Sequence, residues 1–596
     1  IGAGTGEFLS VAQQDGWQTT GVEPSDKAKQ IAINKGVSFV EAIALLEDRS
    51  FDVITMWHVL EHVPNLEEYI ANLKRIVKPT GTRILSESHD AIEQIFFLSY
   101  AYRMTGQTNY LTKAETVIND VCNWDNWVTY SLDTSEMTFA VAIGYDWLYS
   151  GLSDATKQKA REKILNYGFL TQKNAAFWNY TSNWNQVCIG ALACSALAIY
   201  GDGTTQMNTE AAFVLNNILV KNPNSMNTYG NGNYPEGPMY WSYGTTYEVL
   251  MLSALESVYG KNHEGINRLI ASPGFLESAE YMQYVTGPTS QYYNYSDSTA
   301  KRIPLPATLW MAEKANKPSW LSEEKKLMQN GSYASDFENR RFLPLALIYG
   351  KNISLDNLPD PSAKLWKGYG VQPVVLARTA WQGATGKYMG VKGGTPTHSH
   401  AQMDGGFFVY DSQGIRWGMD FGKYDYDAQG TVDDNDFSQN SQRWDIFRVS
   451  NLSQNTISIK KASESSWQHH KVDGAATIDE LYDTTAKRGA KVNMKSLLGL
   501  NNELLATNRS VYLVDESYLE IKDYLSNGAE PINLYWNMVT KSIVETVSPS
   551  KIRLTQGGKT VILEIVSSNP AVTFTLATNR STDPVFYNPT ATADSK

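Results

Sequence analysis

The rhythm of apolar residues changes twice along these 596 residues, and that change limits the possible folds more than any single motif does. Up to about Asp90, short apolar runs alternate with helical stretches: the Gly-rich Ile1 to Gly6, the run ending at Val22-Glu23, then Phe51-Asp52-Val53-Ile54. Strands feeding helices in this way predict an α/β piece. From about Ala91 to Gly350 helical spacing dominates, and apolar stretches stop at an aromatic-Gly step in Ala198-Ile199-Tyr200-Gly201, Val258-Tyr259-Gly260 and Ile348-Tyr349-Gly350. Glycine there supplies the left-handed backbone that ends a helix. Repeated helix-stop-helix units predict stacked hairpins, as in an α/α toroid or solenoid. From about Val374 the pattern becomes short β-type runs, among them Gly406 to Tyr410, Thr456 to Ile459, Ser510 to Val514 and Val561 to Val566. Separated by Gly, Asn and Asp turns, they predict an antiparallel β-sandwich. The expected domains are therefore 1–88, 91–360 and 374–596.

A net charge of −11 argues against a general nucleic-acid binder, which needs a basic footprint to neutralise phosphates. It leaves room for a local basic cleft. The 34 Tyr and 16 Trp suit surfaces that stack on ring-shaped ligands such as sugars. Cys122, Cys188 and Cys194 do not suggest a disulfide framework, since the last two point to different faces of one helical run. No apolar run is long enough for a membrane span. The chain opens at Ile1 inside a motif and without Met, so residues are expected to precede it, and targeting cannot be read from it.

Ile1-Gly2-Ala3-Gly4-Thr5-Gly6 resembles the first motif of class I S-adenosylmethionine-dependent methyltransferases, whose glycines let the backbone approach the cofactor at a strand-to-helix turn. Phe51-Asp52-Val53-Ile54, His58-Val59-Leu60-Glu61-His62-Val63 and Lys78-Pro79-Thr80-Gly81 continue the likeness. The resemblance implies a Rossmann-like fold with Gly2, Gly4 and Gly6 at the cofactor and Glu23 on its ribose. Only Thr82 to Glu87 follow before the helical zone, so a truncated fragment with a vestigial cofactor site is expected. His58 and His62 are read as a helical turn rather than a metal pair.

A second resemblance, to heparinase II/III-like polysaccharide lyases, rests on several segments. They are Leu98 to Gly106, Tyr145-Asp146-Trp147-Leu148-Tyr149, Asn183-Trp184-Asn185-Gln186-Val187, Tyr234-Pro235-Glu236-Gly237-Pro238 to Gly244, and Thr397-His398-Ser399-His400-Ala401-Gln402-Met403-Asp404-Gly405-Gly406. It implies an incomplete α/α toroid followed by a β-sandwich, periplasmic or secreted, with an acidic polysaccharide as substrate. The implied reaction is β-elimination on a uronic acid, in heparin-like, heparan sulfate-like or alginate-like glycans. That chemistry needs an amide or cation to stabilise the uronate carboxylate as the C5 proton leaves, and a Tyr or His as base and acid.

The resemblance places Asn183 and Asn185 at the carboxylate-binding position, with Asn185 slightly favoured. It makes Tyr240 the general acid and possibly the base, with Tyr243 as fallback, and His398 the catalytic histidine. Gln186, Glu236, Trp241, Tyr243 and Arg416 are expected against substrate. Some relatives bind a structural zinc, which here implies His400 and Asp420 as ligands. The third ligand position reads Gln454, a poor partner for zinc beside imidazole. Two other readings compete: a glycoside hydrolase using Asp146 and Glu236, and a glycan-binding chimera without turnover.

Overall fold

The computed structural model describes residues 1–46, 84–335, 340–356, 358–383, 385–423, 435–498, 504–528 and 530–568, with position 433 and a scatter of positions between 50 and 76. Asp52, Val53, His58, Glu61, His62 and Lys78 to Gly81 fall outside them. The chain divides into two compact units, Ile1–Ser86 and Glu87–Lys596.

In the first unit the Gly-rich loop leads into helix α1 (Glu7–Gln14), followed by strand β1 (Thr20–Gly21), helix α2 (Asp26–Ile33) and strand β2 (Ser38–Phe39). The two strands pair in parallel, Thr20 opposite Ser38, and α2 supplies the crossover that parallel pairing needs. Gly6 opens α1 with φ 74°, and a Cβ there would lie 2.6 Å from that of Ala32, so only glycine fits. Ser25 caps α2 by accepting from the Ala28 amide. Helix α1 buries none of its residues, and Phe8, Val11 and Trp17 are exposed.

The second unit begins with helices. Among those that build the site's surroundings are α3 (Leu85–Thr105), α4 (Ser131–Trp147), α5 (Asn183–Ile199) and α6 (Pro238–Tyr259). Helix α5 is buried nearly all round and lies between α4 and α6, which explains why its sequence carries no polar stripe. Gly190 makes the closest approach possible: a Cβ there would sit 2.7 Å from the Tyr247 carbonyl oxygen on α6. At the centre of this layer Glu136 of α4 is fully buried. It accepts from the Tyr247 hydroxyl at 2.7 Å and from that of Tyr243, with His89 Nε2 at 3.1 Å and Arg341 Nε at 3.3 Å. Burial pushes this carboxyl up, but His89, Arg341 and the hydroxyl donors outweigh burial and hold it down at about 2.

Antiparallel sheets follow. Strands β3 (Leu365–Gly368), β4 (Val374–Arg378), β5 (Tyr388–Lys392), β6 (Phe408–Ser412) and β7 (Ile415–Gly418) form one sheet in sequence order, each hydrogen-bonded to the next. Strands β8 (Ile457–Lys461), β9 (Thr477–Asp483), β10 (Lys487–Asn493), β11 (Leu504–Val514) and β12 (Tyr518–Asn527) come next, the last four forming a second sheet in the order β12-β11-β10-β9. The two sheets share a core: Val375, Met389, Val391 and Phe408 of the first pack with Ala490, Val492, Val511 and Leu513 of the second.

Candidate active site

Two helix N-termini converge on one carboxylate. Asn183 is the first residue of α5, so its backbone N–H has no partner within the helix. Glu236 supplies one, accepting that N–H at 2.8 Å through Oε1 and the Asn183 side-chain amide through Oε2. Glu236 is followed by Gly237 and by Pro238 at the first turn of α6, a position where proline costs no hydrogen bond. Gly237 has φ 89°, and a Cβ there would meet the Tyr295 carbonyl oxygen at 2.5 Å, so the approach to α6 requires glycine. Tyr240 then falls on the first turn of α6. The positive end of α5 stabilises the buried carboxylate.

His400 arrives from the segment between β5 and β6. Its backbone is left-handed, φ 61°, and this turns the ring onto that of Tyr240, centroid to centroid 3.7 Å with 10° between planes. Its Nε2 lies 3.4 Å from Asn183 Nδ2 and 3.5 Å from Glu236 Oε2, while its Nδ1 lies 3.5 Å from Asp297 Oδ2. Ser399 Oγ also donates to Glu236, at 3.4 Å. Asn183 and Glu236 are buried, Tyr240 is 8 % exposed, and the His400 side chain keeps 18 %. An approaching ligand therefore meets the stacked phenol and imidazole first, with the amide beneath them.

The structure distributes the expected site residues differently from the sequence reading. Asn185 stands apart from the cluster: its amide donates to the carbonyls of Phe177, Trp178 and Lys221, and its oxygen accepts from Ser225. Gln186 is likewise committed, donating to the Tyr229 hydroxyl and accepting from that of Tyr234. Trp241 is buried and donates to Ser278. Tyr243 is one turn further along α6, on Glu136. Arg416 is buried on Asp411 and on the carbonyls of Tyr292 and Gln291, with no charge to offer a substrate. His398 is half-buried with Nδ1 toward the Ser399 carbonyl, so His400, not His398, is the ring brought to Asn183 and Tyr240. The two rings do not alternate as they would on an extended strand, because His400 is left-handed. Asp146 has Arg103 and Asp202 as its charged neighbours, so it does not form a carboxylate pair with Glu236. Sequence reasoning missed Asp297 and Ser399: neither stands in a diagnostic spacing, and only tertiary contact brings Asp297 to the ring.

The donors a zinc ion would need do not converge. Both His400 nitrogens face carboxylates at 3.5 Å, while Asp420 accepts from the Gly422 amide and is pushed up to about 8 by burial. Gln454 turns its amide nitrogen to Gln402 and to the Arg448 carbonyl. His470, buried and pushed down to about 4, points Nε2 at the Ile457 carbonyl. Among the described residues no group of three or more His, Cys, Asp or Glu is placed to hold a metal, so the residues present do not fit the ion. In the first unit the two oxygens of Glu23 accept from the Gly4 and Ser25 amides.

Residues 379–592 match the family model described as heparinase II/III-like, C-terminal, and residues 1–120 match a methyltransferase domain. One stretch of the chain is thus similar to methyltransferase domains and another to the C-terminal domain of heparinase II/III-like proteins. The fold of the heparinase II/III-like segment is similar to the crystal structure of heparan sulfate lyase HepC from Pedobacter heparinus. The TM-score is 0.50 at 11% identity, covering 80% of this chain and 68% of that one. Heparinase III gives a TM-score of 0.49 at 13% identity, covering 78% and 67%. The methyltransferase segment is 31% identical over 94 residues to a demethylmenaquinone methyltransferase of Tropheryma whipplei (strain Twist), covering 15% of this chain and 39% of that protein. It is 33% identical over 100 residues to a ubiquinone biosynthesis O-methyltransferase of Haemophilus ducreyi, covering 14% and 42%. The chain thus spans about two fifths of the length of these curated relatives. Among the described residues no helix is long and apolar enough to cross a membrane.

Proposed function

We propose that the heparinase II/III-like segment is a polysaccharide lyase that cleaves uronic-acid-containing glycans by β-elimination, its helices forming an incomplete α/α toroid around the substrate. The observation that carries this reading is the stack of Tyr240 on His400 with the Asn183 amide 3.4 Å from the ring nitrogen. Asn183 exchanges its amide contact with His400 for the uronate carboxylate, whose charge grows as the C5–H bond breaks. His400 Nε2 takes the C5 proton. Tyr240 gives its hydroxyl proton to the O4 leaving group as the C4–O4 bond breaks, and the electron pair of the C5–H bond becomes the C4–C5 double bond. HepC is a heparan sulfate lyase by name, which puts heparan sulfate-like polymers first and alginate-like ones second, and a periplasmic or secreted setting suits either.

The methyltransferase segment is read as a partial Rossmann-like unit, vestigial toward S-adenosylmethionine, because a long helix begins at Leu85 and leaves no sequence for the further strands such a sheet needs.

The test is a panel of acidic polysaccharides assayed for an unsaturated, ultraviolet-absorbing product. Tyr240→Phe is expected to lower turnover about 10²- to 10⁴-fold while leaving glycan binding in place. New reducing ends without unsaturation would make the protein a hydrolase and end the lyase reading.

A further inference from the structure

Behind His400 runs a buried polar chain. Asp297 sits between Ser296 and Ser298, and its backbone N–H donates to the His400 carbonyl at 3.1 Å. Ser296, at φ 60°, and His400, at φ 61°, are both left-handed without being glycine. Such backbone persists only where its surroundings over-determine it. Here Ser296 N donates to Asp404 at 3.3 Å. The Asp297 carboxylate is fully enclosed: Oδ1 accepts from Gln402 Nε2 at 2.7 Å, and Oδ2 lies 3.5 Å from His400 Nδ1 and 3.7 Å from Arg443. Gln402 Oε1 in turn accepts from Gln454 Nε2 at 2.7 Å, and the same Gln454 nitrogen donates to the Arg448 carbonyl at 2.6 Å. Burial pushes the Asp297 carboxyl up, but His400, Arg443 and Gln402 outweigh burial and leave it below the usual aspartate range. Nε2 lies 3.5 Å from Glu236 Oε2 but also 3.4 Å from the Asn183 amide nitrogen, which can only donate, so Nε2 keeps its lone pair for that amide and the ring proton falls to Nδ1, against Asp297.

We propose that Asp297 is a positioning residue for His400, holding the proton on Nδ1 and turning Nε2 toward Asn183, and that the amide chain Gln402-Gln454 keeps Asp297 in place without a metal ion. The catalytic meaning of this contact rests on the lyase reading; the contact itself does not. A carboxylate that fixes the far nitrogen of an imidazole sets its tautomer and orientation. Asparagine cannot do the same here. Its single oxygen serves either Gln402 or His400, and its amide then presents a donor to the other.

The experiment is nitrogen NMR on the full chain labelled at its eight histidines, with the His400 signal identified by its loss in His400→Gln. In the neutral ring of the unsubstituted protein Nδ1 is expected to carry the proton; a proton on Nε2 alone overturns the proposal without any variant. Asp297→Asn is expected to move the proton to Nε2 and to lower kcat at least tenfold with KM within twofold. An unchanged tautomer in a folded Asp297→Asn protein rejects the assignment. Dialysis against a chelator is expected to leave both the His400 signal and the melting curve unchanged, and a change in either overturns the metal-free support. If no uronate polymer yields product while Nδ1 stays protonated on Asp297, the lyase reading fails and the positioning contact stands.

Discussion

Side chains two apart on an α-helix point to nearly opposite sides, so Asn183 and Asn185 could not both face one ligand. Asn183, at the helix start, is pinned to Glu236 and faces His400; Asn185 is enclosed by carbonyls of the preceding turn and by Ser225. Alanine substitution separates the two. Asn183→Ala is expected to reduce kcat/KM about 10²- to 10³-fold, the loss typical of one transition-state donor, and to cost about 1–3 kcal/mol of stability by taking a buried donor from Glu236. Asn185→Ala is expected to cost about 1–3 kcal/mol of stability by leaving buried carbonyls unpaired, with kcat preserved; calorimetry alongside initial rates checks both. The sequence motifs pointed to Asn183 and Tyr240, and both contact His400 in the structure. They made His398 the catalytic histidine, because nothing local signals the left-handed backbone that turns His400 onto Tyr240. Asp297 had no local signal at all, since its partners lie about a hundred residues away in sequence.

Helices α4, α5 and α6 meet around Glu136, whose depressed carboxyl makes the layer sensitive to acid. Its ordinary value is 4.5 and its folded value about 2, so its contribution is complete above about 4.5 and is lost as the pH falls toward 2. Glu136→Gln is expected to cost about 3 kcal/mol at neutral pH, because it leaves Arg341 buried without its countercharge. The variant's melting temperature should then fall less steeply than the parent's between pH 4.5 and 2. The helical character of this zone was legible from spacing, and two of the aromatic-Gly stops end helices as read: Gly201 and Gly260 have φ of 95° and 84°. Gly350 does not stop its helix but is its last residue, with Lys351 continuing in helical backbone. The Glu136 cluster was illegible because His89, Tyr243 and Arg341 come together only through packing.

The two units differ in how much they bury. Helix α1 encloses none of its residues, whereas α5 is enclosed almost throughout. Local opening follows such differences, so backbone amides of residues 7–14 are expected to exchange with solvent fastest and those of 187–196 slowest in a hydrogen-exchange time course. The order of α/β, helical and β segments was readable from apolar rhythm, while the pairing of β10 with β9 and β11 required coordinates. Asn183 and His400 are 217 residues apart in sequence, and the contact between them closes a loop that spans most of the helical layer and the first strands. Contacts of such separation give nothing back until the chain between them is ordered. Catalytic competence is therefore expected to lag behind helical circular dichroism when denatured protein is diluted into buffer, so that a chain can look folded before it can work.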